Sequence, residues 1–467
     1  MGASRRQFIV GAGAAGLTAA GARCAAPAGA VTPEMFGAKG DGRTNDTDAF
    51  AAMSEHVNAR GGGTIVLRPV TYIVGRQQRG RGRNEPSFAG AKIIRIEKCK
   101  RAVTIRGNGA KLKCAPGLRF GRFDPQSGNP LPNGRKLDLT NRAVPYWAMI
   151  NINHCSGPIE VSNIELDGNL QRLVVGGRYG KGGYQSGGTG LVLSQNRGPE
   201  RLARIRSHHH AQDGMTLAPA GDRRDSTLVT DSICEFNGRQ GVSVTGGRNL
   251  LFQRCKFRHT GRAGIHGSPG AGVDVEAERS PIRNVAFEDC EFSDNHGFGL
   301  VAGTGKSADL RFDRCKFVGT TNWSAWPDRP QMRFRSCLFV GAINHARGDA
   351  DPARAAQFLD CTFTDDPALS PTGKVFLPKG KWIAIILKSP NVRFRRCHFR
   401  LIADGVLPLS QSQVIYEDCD MSQRSAAPSG PRGTYLGTTS IRGNAHLEDS
   451  IIRGKVTLNG RILPQRG

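Results

Sequence analysis

The chain has 467 residues, 61 of them glycine, and a formal net charge of +26. That length suits one large domain or two or three ordinary ones, and glycine in such excess, beside apolar residues recurring in short regular groups, points to many turns rather than disorder. A chain this basic attracts polyanions. No helix-turn-helix, RNA-binding or zinc-finger pattern supports nucleic acid as a specific partner, and no segment is apolar enough to span a bilayer.

Residues 1–30 read as a targeting segment. Ser4-Arg5-Arg6-Gln7-Phe8-Ile9 resembles the twin-arginine export motif, a weakly apolar stretch runs from Val10 to Ala22, and Ala28-Gly29-Ala30 offers an A-x-A cleavage site. Cys24 does not make a lipoprotein site, because Arg23 stands where a small residue is needed. The expectation is a periplasmic or secreted protein exported by the twin-arginine pathway, with residues 31–467 as the mature domain. Losing Arg5, Arg6 and Arg23 leaves +23. Outside the cytoplasm the expected partner is an acidic polysaccharide; the oligomeric state is not legible.

Asp46 to Val57 has the pattern of an amphipathic helix with acidic residues in its first turn. Around it, Phe36-Gly-Ala-Lys-Gly-Asp-Gly-Arg-Thr-Asn-Asp-Thr-Asp-Ala-Phe50, then GGGTIVLRPVTYIV at 61–74, resembles the opening motif of the pectate-lyase-like β-helix superfamily. That group includes rhamnogalacturonases, polygalacturonases, phage tailspikes and uronan epimerases. Asn45 stands where an aspartate is commoner. The resemblance implies an all-β, right-handed, single-stranded parallel β-helix. Its N-terminal cap, about 31–63, would use the helix to cover apolar core that an open solenoid end exposes. It implies no single activity. The Asn-Thr-Asp, Gly-His-Gly and Arg-Ile-Lys motifs of polygalacturonases are missing, as is the Asp-Pro-His-Asp of the epimerases, and Asp365-Asp366 is an isolated acidic pair.

Coils are expected from about residue 64 to 456. Val103-Thr-Ile105 and Ile159-Glu-Val-Ser-Asn-Ile164 look like early copies. Three insertions interrupt the coils: 117–147 with Phe120, Phe123, Tyr146 and Trp147, 171–189 with Tyr179 and Tyr184, and 258–271 in the coil before Asp274. Long loops on rigid scaffolds commonly carry function. In the next weak copy, placing Ile205 in an aromatic slot sends His208 and His210 into the core and leaves His209 alone, a poor metal ligand set; no metal site is expected there.

From Leu250 one phrase returns seven times: LLFQRCKF, VAFEDCEF, LRFDRCKF, MRFRSCLF, AQFLDCTF, VRFRRCHF and VIYEDCDM. Its cysteines, Cys255, Cys290, Cys315, Cys337, Cys361, Cys397 and Cys419, recur at spacings of 35, 25, 22, 24, 36 and 22. That is a solenoid period with insertions. Apolar and polar slots alternate, so each copy is a strand with one buried face. Parallel stacking gives internal ladders of aromatics and of cysteines, about 4.8 Å per step. Buried cysteine acts here as a small hydrophobe, and a stack of free thiols is expected rather than disulfides.

A second strand family follows corner glycines: Gly190-Leu-Val-Leu, Gly214-Met-Thr-Leu, Gly241-Val-Ser-Val, Gly272-Val-Asp-Val and Gly297-Phe-Gly-Leu. The second residue after each glycine faces out, giving a column of Val192, Thr216, Ser243, Asp274 and Gly299. Asp274 breaks the apolar or neutral pattern, and Glu276 follows on the same side. Residues i and i+2 of a strand lie roughly 6.8 Å apart at the backbone, which suits an acid and a base flanking a water, as in inverting glycosidases. The residues before the glycines, Asp213, Gln240, Ala271 and His296, form a neighbouring column. Asp274, Glu276, Asp213 and His296 are therefore the candidate catalytic residues. Asp294, Asn295, Gln240, His266, Tyr179, Tyr184, Trp323 and Trp326 are the candidate sugar contacts. Three readings stay open: a glycoside hydrolase on acidic polysaccharide, a uronan lyase or epimerase with Arg, Lys or Ca²⁺ neutralising the substrate carboxylate, and a non-catalytic binding or structural β-helix. No motif requires a cofactor.

Overall fold

The computed structural model describes residues 29–80, 85–136, 138–180, 183–184 and 186–467. The export motif and most of the targeting segment lie outside them. Among the described residues one helix, α1 (Thr47–Ala59), precedes a sheet of 37 strands in which nearly every pairing is parallel. No helix among them is long and apolar enough to cross a membrane.

Each coil contributes up to three strands. The ladder through Ile159, Glu200, Thr227, Leu250, Val285 and Leu310 forms one face. The end of Glu200–His208 from Arg206 and the short strands beginning Ile233, Lys256 and Glu291 form the second, and Met215–Ala218, Val242–Val244 and the start of Val273–Glu288 form the third. Stacking in register puts Phe252, Phe287, Phe312, Phe334, Phe358, Phe394 and Tyr416 above one another, with adjacent rings 4.5–5.4 Å apart. Phe257, Phe292, Phe317, Phe339, Phe363 and Phe399 make a second stack. The eleven described cysteines are buried and free. The Cys290 thiol donates to the carbonyls of Glu288 and, one coil back, Phe252. Cysteine thus fills a small apolar slot while supplying a weak donor at the corner where the backbone turns.

The residue before each ladder cysteine has left-handed backbone, including Arg254, Asp289, Arg314, Asp360 and Arg396. On the outside these corners pair between neighbouring coils: Arg254 with Asp231, Arg314 with Asp289, and Arg396 with Asp360, each at 2.7 Å. The alternation of Arg and Asp within the repeat phrase is therefore an ion-pair ladder.

Helix α1 covers the N-terminal mouth. Asn58 donates to the Arg95 carbonyl and accepts from the Glu97 amide, while Ser54 bonds Phe50 and Ile93 carbonyls. Asn45, one residue before the N-cap Asp46, ties the helix start to the first coil: Oδ1 accepts from the Thr47 amide and Nδ2 donates to the Gly75 carbonyl. An aspartate could not make the second bond, which explains the asparagine. At the other end Lys455–Leu458 pairs antiparallel with Arg461–Ile462 across Asn459 and Gly460, both at positive φ, in the hairpin geometry such a pair favours.

The insertions 117–147 and 171–189, with Gln77–Arg79 and Phe88–Gly90, form a separate five-stranded sheet. Phe120, Phe123 and Tyr146 are buried in it or beneath it, whereas the Trp147 ring is exposed, with the Arg142 guanidinium 4.7 Å from it.

The slot assignment at 205–210 is corrected. Leu202 stacks with Val229 and Phe252, so Ile205 takes the cysteine slot and Ser207 the phenylalanine slot. His208 instead pairs in register with Asp167 and Glu235 on the outward side. His210 is fully buried, held by the Tyr146 hydroxyl and the Leu166 carbonyl.

Candidate active site

The third face carries the outward column through strand register: Val192, Thr216, Ser243 and Asp274 are successive partners. The next members are Val301 and Trp326. The corner glycine of that coil is Gly299, whose amide and carbonyl continue the bonding of Gly272, and Gly297 lies two residues too early. The neighbouring column accordingly reads Asp213, Gln240, Ala271, Phe298 and Trp323. His296 is not in it. The cause is a corner two residues longer, which alternation alone does not reveal.

Asp274 is 8% exposed, not solvated. The Gln240 amide nitrogen donates to Asp274 Oδ2 at 2.9 Å, while Gln240 Oε1 accepts from the Ala271 amide. That backbone N–H fixes which end of the Gln240 amide faces the carboxyl. Burial, and then the charge of Glu276, push the Asp274 carboxyl up to about 7 against the opposing pull of Arg239. Glu276, two residues on and half-buried, accepts from the Thr304 hydroxyl at 2.8 Å.

Asp213 is fully buried and saturated. Arg239 donates to it through Nε and Nη2 at 2.8 and 2.6 Å, Ser243 donates at 2.9 Å and Thr216 at 3.1 Å. Such a carboxylate has no room for proton transfer; it holds Arg239 and a negative charge beneath the site. Arg239 was not singled out from sequence, because nothing in Gly238-Arg239-Gln240 marks which arginine turns inward.

One and two coils beyond Asp274 stand two aromatic rings. Phe298 and Trp326 lie 5.5 Å apart at 38°. The indole N–H of Trp326 is buried with no acceptor among the described residues. Trp323, next along the neighbouring column, packs edge-on to Phe376 at 5.4 Å. Both tryptophans therefore share the Asp274 face, about 9.6 Å along the axis at ~4.8 Å per coil.

The other candidates lie elsewhere. His296 stacks on His266 at 4.1 Å, and the pair lines a separate cleft of about 340 Å³ with Arg178, Pro269, Thr321 and Asn322. Burial and the nearby His266 and Arg262 hold His296 below the usual histidine range. Asn295 is buried with both amide ends on backbone, accepting from the Thr260 amide and donating to the Phe257 carbonyl; it is a corner residue. Asp294 is buried against His259, Arg262 and Thr320. Tyr179 and Tyr184 spend their hydroxyls on the Gly121 and Gly176 carbonyls inside the small sheet. These three residues and Asn295 build corners and loops.

Coil and face together define a right-handed parallel β-helix bearing a buried carboxyl cluster flanked by aromatic rings. A family model described as "Right handed beta helix region" matches residues 148–339. The chain is 41% identical over 327 residues to "Depolymerase 1, capsule KN3-specific" of Klebsiella phage KN3-1. That match takes in 66% of this chain but only 39% of the relative's length. Two solved structures share the fold at 13% identity. The Azotobacter vinelandii mannuronan C-5 epimerase AlgE4 A-module has a TM-score of 0.51, covering 93% of this chain and 100% of its own. The N-terminal fragment of bacteriophage Phi29 gene product 12 has a TM-score of 0.54, covering 92% and 70%.

Proposed function

We propose that this chain hydrolyses an acidic extracellular polysaccharide, with Asp274 as general acid and Glu276 as general base. The observation that carries the reading is the Asp274 carboxyl, buried, oriented by Gln240 and raised to about 7 beside a second carboxylate. A carboxyl kept protonated near neutrality can donate to a glycosidic oxygen. In the proposed step Asp274 gives its proton to the leaving oxygen as the anomeric C–O bond breaks. Glu276 takes a proton from water, whose oxygen bonds to the anomeric carbon from the opposite face. The roughly 6.8 Å between their backbone positions leaves space for that water. Phe298 and Trp326 offer apolar ring faces to the adjoining sugars. The likeness to a phage capsule depolymerase supports the substrate class, and the net charge of +26 supports an anionic chain.

A second reading rests on Arg239, which the field of both Asp213 and Asp274 touches. There Asp274 removes a uronate C5 proton while Arg239 offsets the substrate carboxylate; the C4–C5 double bond forms as the C4–O bond breaks, and the leaving oxygen takes a proton from water. Reducing ends formed from anionic polysaccharides with no rise in absorbance near 235 nm support hydrolysis. A rise at that wavelength, abolished in Asp274→Asn, replaces it with the lyase. Binding without either product leaves a carbohydrate-binding β-helix.

A further inference from the structure

We propose that Asp167, His208 and His209 form a binding site for a divalent transition-metal ion of the zinc type, on the outside of the solenoid and apart from the carboxyl cluster. One ligand atom from each of the three lies within 4.8 Å of the other two. His208 Nδ1 is 2.7 Å from His209 Nδ1 and 3.9 Å from Asp167 Oδ1. Two imidazoles and a carboxylate are a donor set suited to Zn²⁺, Co²⁺ or Ni²⁺ rather than to Ca²⁺ or Mg²⁺.

The second observation concerns tautomer. His208 Nε2 lies 2.9 Å from Glu165 Oε1, and a carboxylate in that role accepts, so Nε2 carries the hydrogen. The Nδ1 lone pair is then left aimed at His209 and Asp167. A carboxylate–histidine pair of this kind orients the imidazole and raises its basicity toward a metal.

The ligands are also held in place without one. Asp167 Oδ1 accepts from the Asn169 amide at 2.8 Å. The His209 ring stacks on Phe236 at 5.1 Å, and Phe236 stacks in turn on His259 at 4.6 Å. Glu165 is already offset by Lys111 and Arg206, and Glu235 by Arg206 and Arg258. Asp167 has no lysine or arginine partner among the described residues, so its charge is the one available to a cation. Such an ion would tie two adjacent coils at the point where the 171–189 insertion leaves the helix. The competing arrangement is a single proton shared between the two Nδ1 atoms.

The test uses the untagged chain, dialysed against chelator and titrated calorimetrically with Zn²⁺, with Co²⁺ absorption as a second readout. One equivalent should bind, with imidazole-type Co²⁺ bands. His209→Ala and Asp167→Asn should each weaken binding at least 100-fold while keeping the circular dichroism of the parent. Glu165→Gln, which removes only the orienting acceptor, should weaken it about 10–100-fold. A His266→Ala/His296→Ala double variant should bind as the parent does. The proposal is overturned if no saturable binding is seen, if His209→Ala and Asp167→Asn bind normally, or if binding follows the His266 and His296 pair instead.

Discussion

Strand Val273–Glu288 carries Asp274 at one end and Phe287 near the other. Phe287 lies between Phe252 and Phe312, rings nearly parallel at 4° and 3°, in a stack where each neighbour is a copy of itself. Asp274 lies between Ser243 and Val301, which share nothing with it or with each other. The same stacking rule governs both. Inside, identical neighbours add dispersion and exclude water, so repetition stabilises. Outside, a carboxyl stacked on carboxyls would be repelled, so a charged group survives only where adjacent coils supply something different. Here one coil supplies Gln240 and another the Val301 side chain. The repeat thus builds a scaffold wherever it holds, and a site where it is broken.

The sharpest way to break that contrast is to remove the odd residues. Asp274→Asn and Glu276→Gln should each lower the rate of polysaccharide cleavage by about 10²–10⁴-fold, the usual cost of a positioned acid or base. Their far-ultraviolet circular dichroism should match the parent. Near-full activity in both variants would move the chemistry off this face.

On the inner side, Phe287→Ala should cost about 3–5 kcal/mol in a chemical denaturation series, because it opens a cavity between two rings that cannot collapse onto each other. A loss below about 1 kcal/mol would mean that the stack adjusts freely and that repetition is not what holds these coils.

The two faces should also differ in their response to pH. Asp274 keeps its proton up to about 7 in the folded chain, whereas an unfolded chain releases it near about 4. Its contribution to stability is therefore complete below about 4 and is lost as pH rises towards 7. Asp274→Asn mimics the protonated form, so the variant should gain on the parent across that window by up to roughly 4 kcal/mol. Cleavage should likewise decline above about pH 7 as the acid ionises. A stability difference that stays flat from pH 4 to 7 would show that Asp274 ionises as an ordinary carboxyl.

The smallest effect belongs to the corner ladder. Arg254→Ala breaks an exposed pair with Asp231, worth no more than about 1 kcal/mol and screened by salt. A larger loss that survives high salt would mean that these pairs act as a network.

How much could be read without the structure follows from the same contrast. The ladders from Phe252 to Tyr416 and from Phe257 to Phe399 were legible because a strand's alternation and a solenoid's repeat both leave period in the sequence. The capping helix and the exceptional Asp274 and Glu276 were legible for the same reason, one as a pattern and the other as its interruption. Corners leave no such period. Whether Gly297 or Gly299 turns the chain, and whether His208 or Ser207 faces inward, depends on how many residues each corner consumes. Only packing against the coil before decides that. The burial of Asp274, the saturation of Asp213 by Arg239 and the placing of Phe298 beside Trp326 were invisible for a further reason. Each arises between coils 25 or more residues apart, where the contact is set by the axial stacking of about 4.8 Å rather than by anything local in the chain.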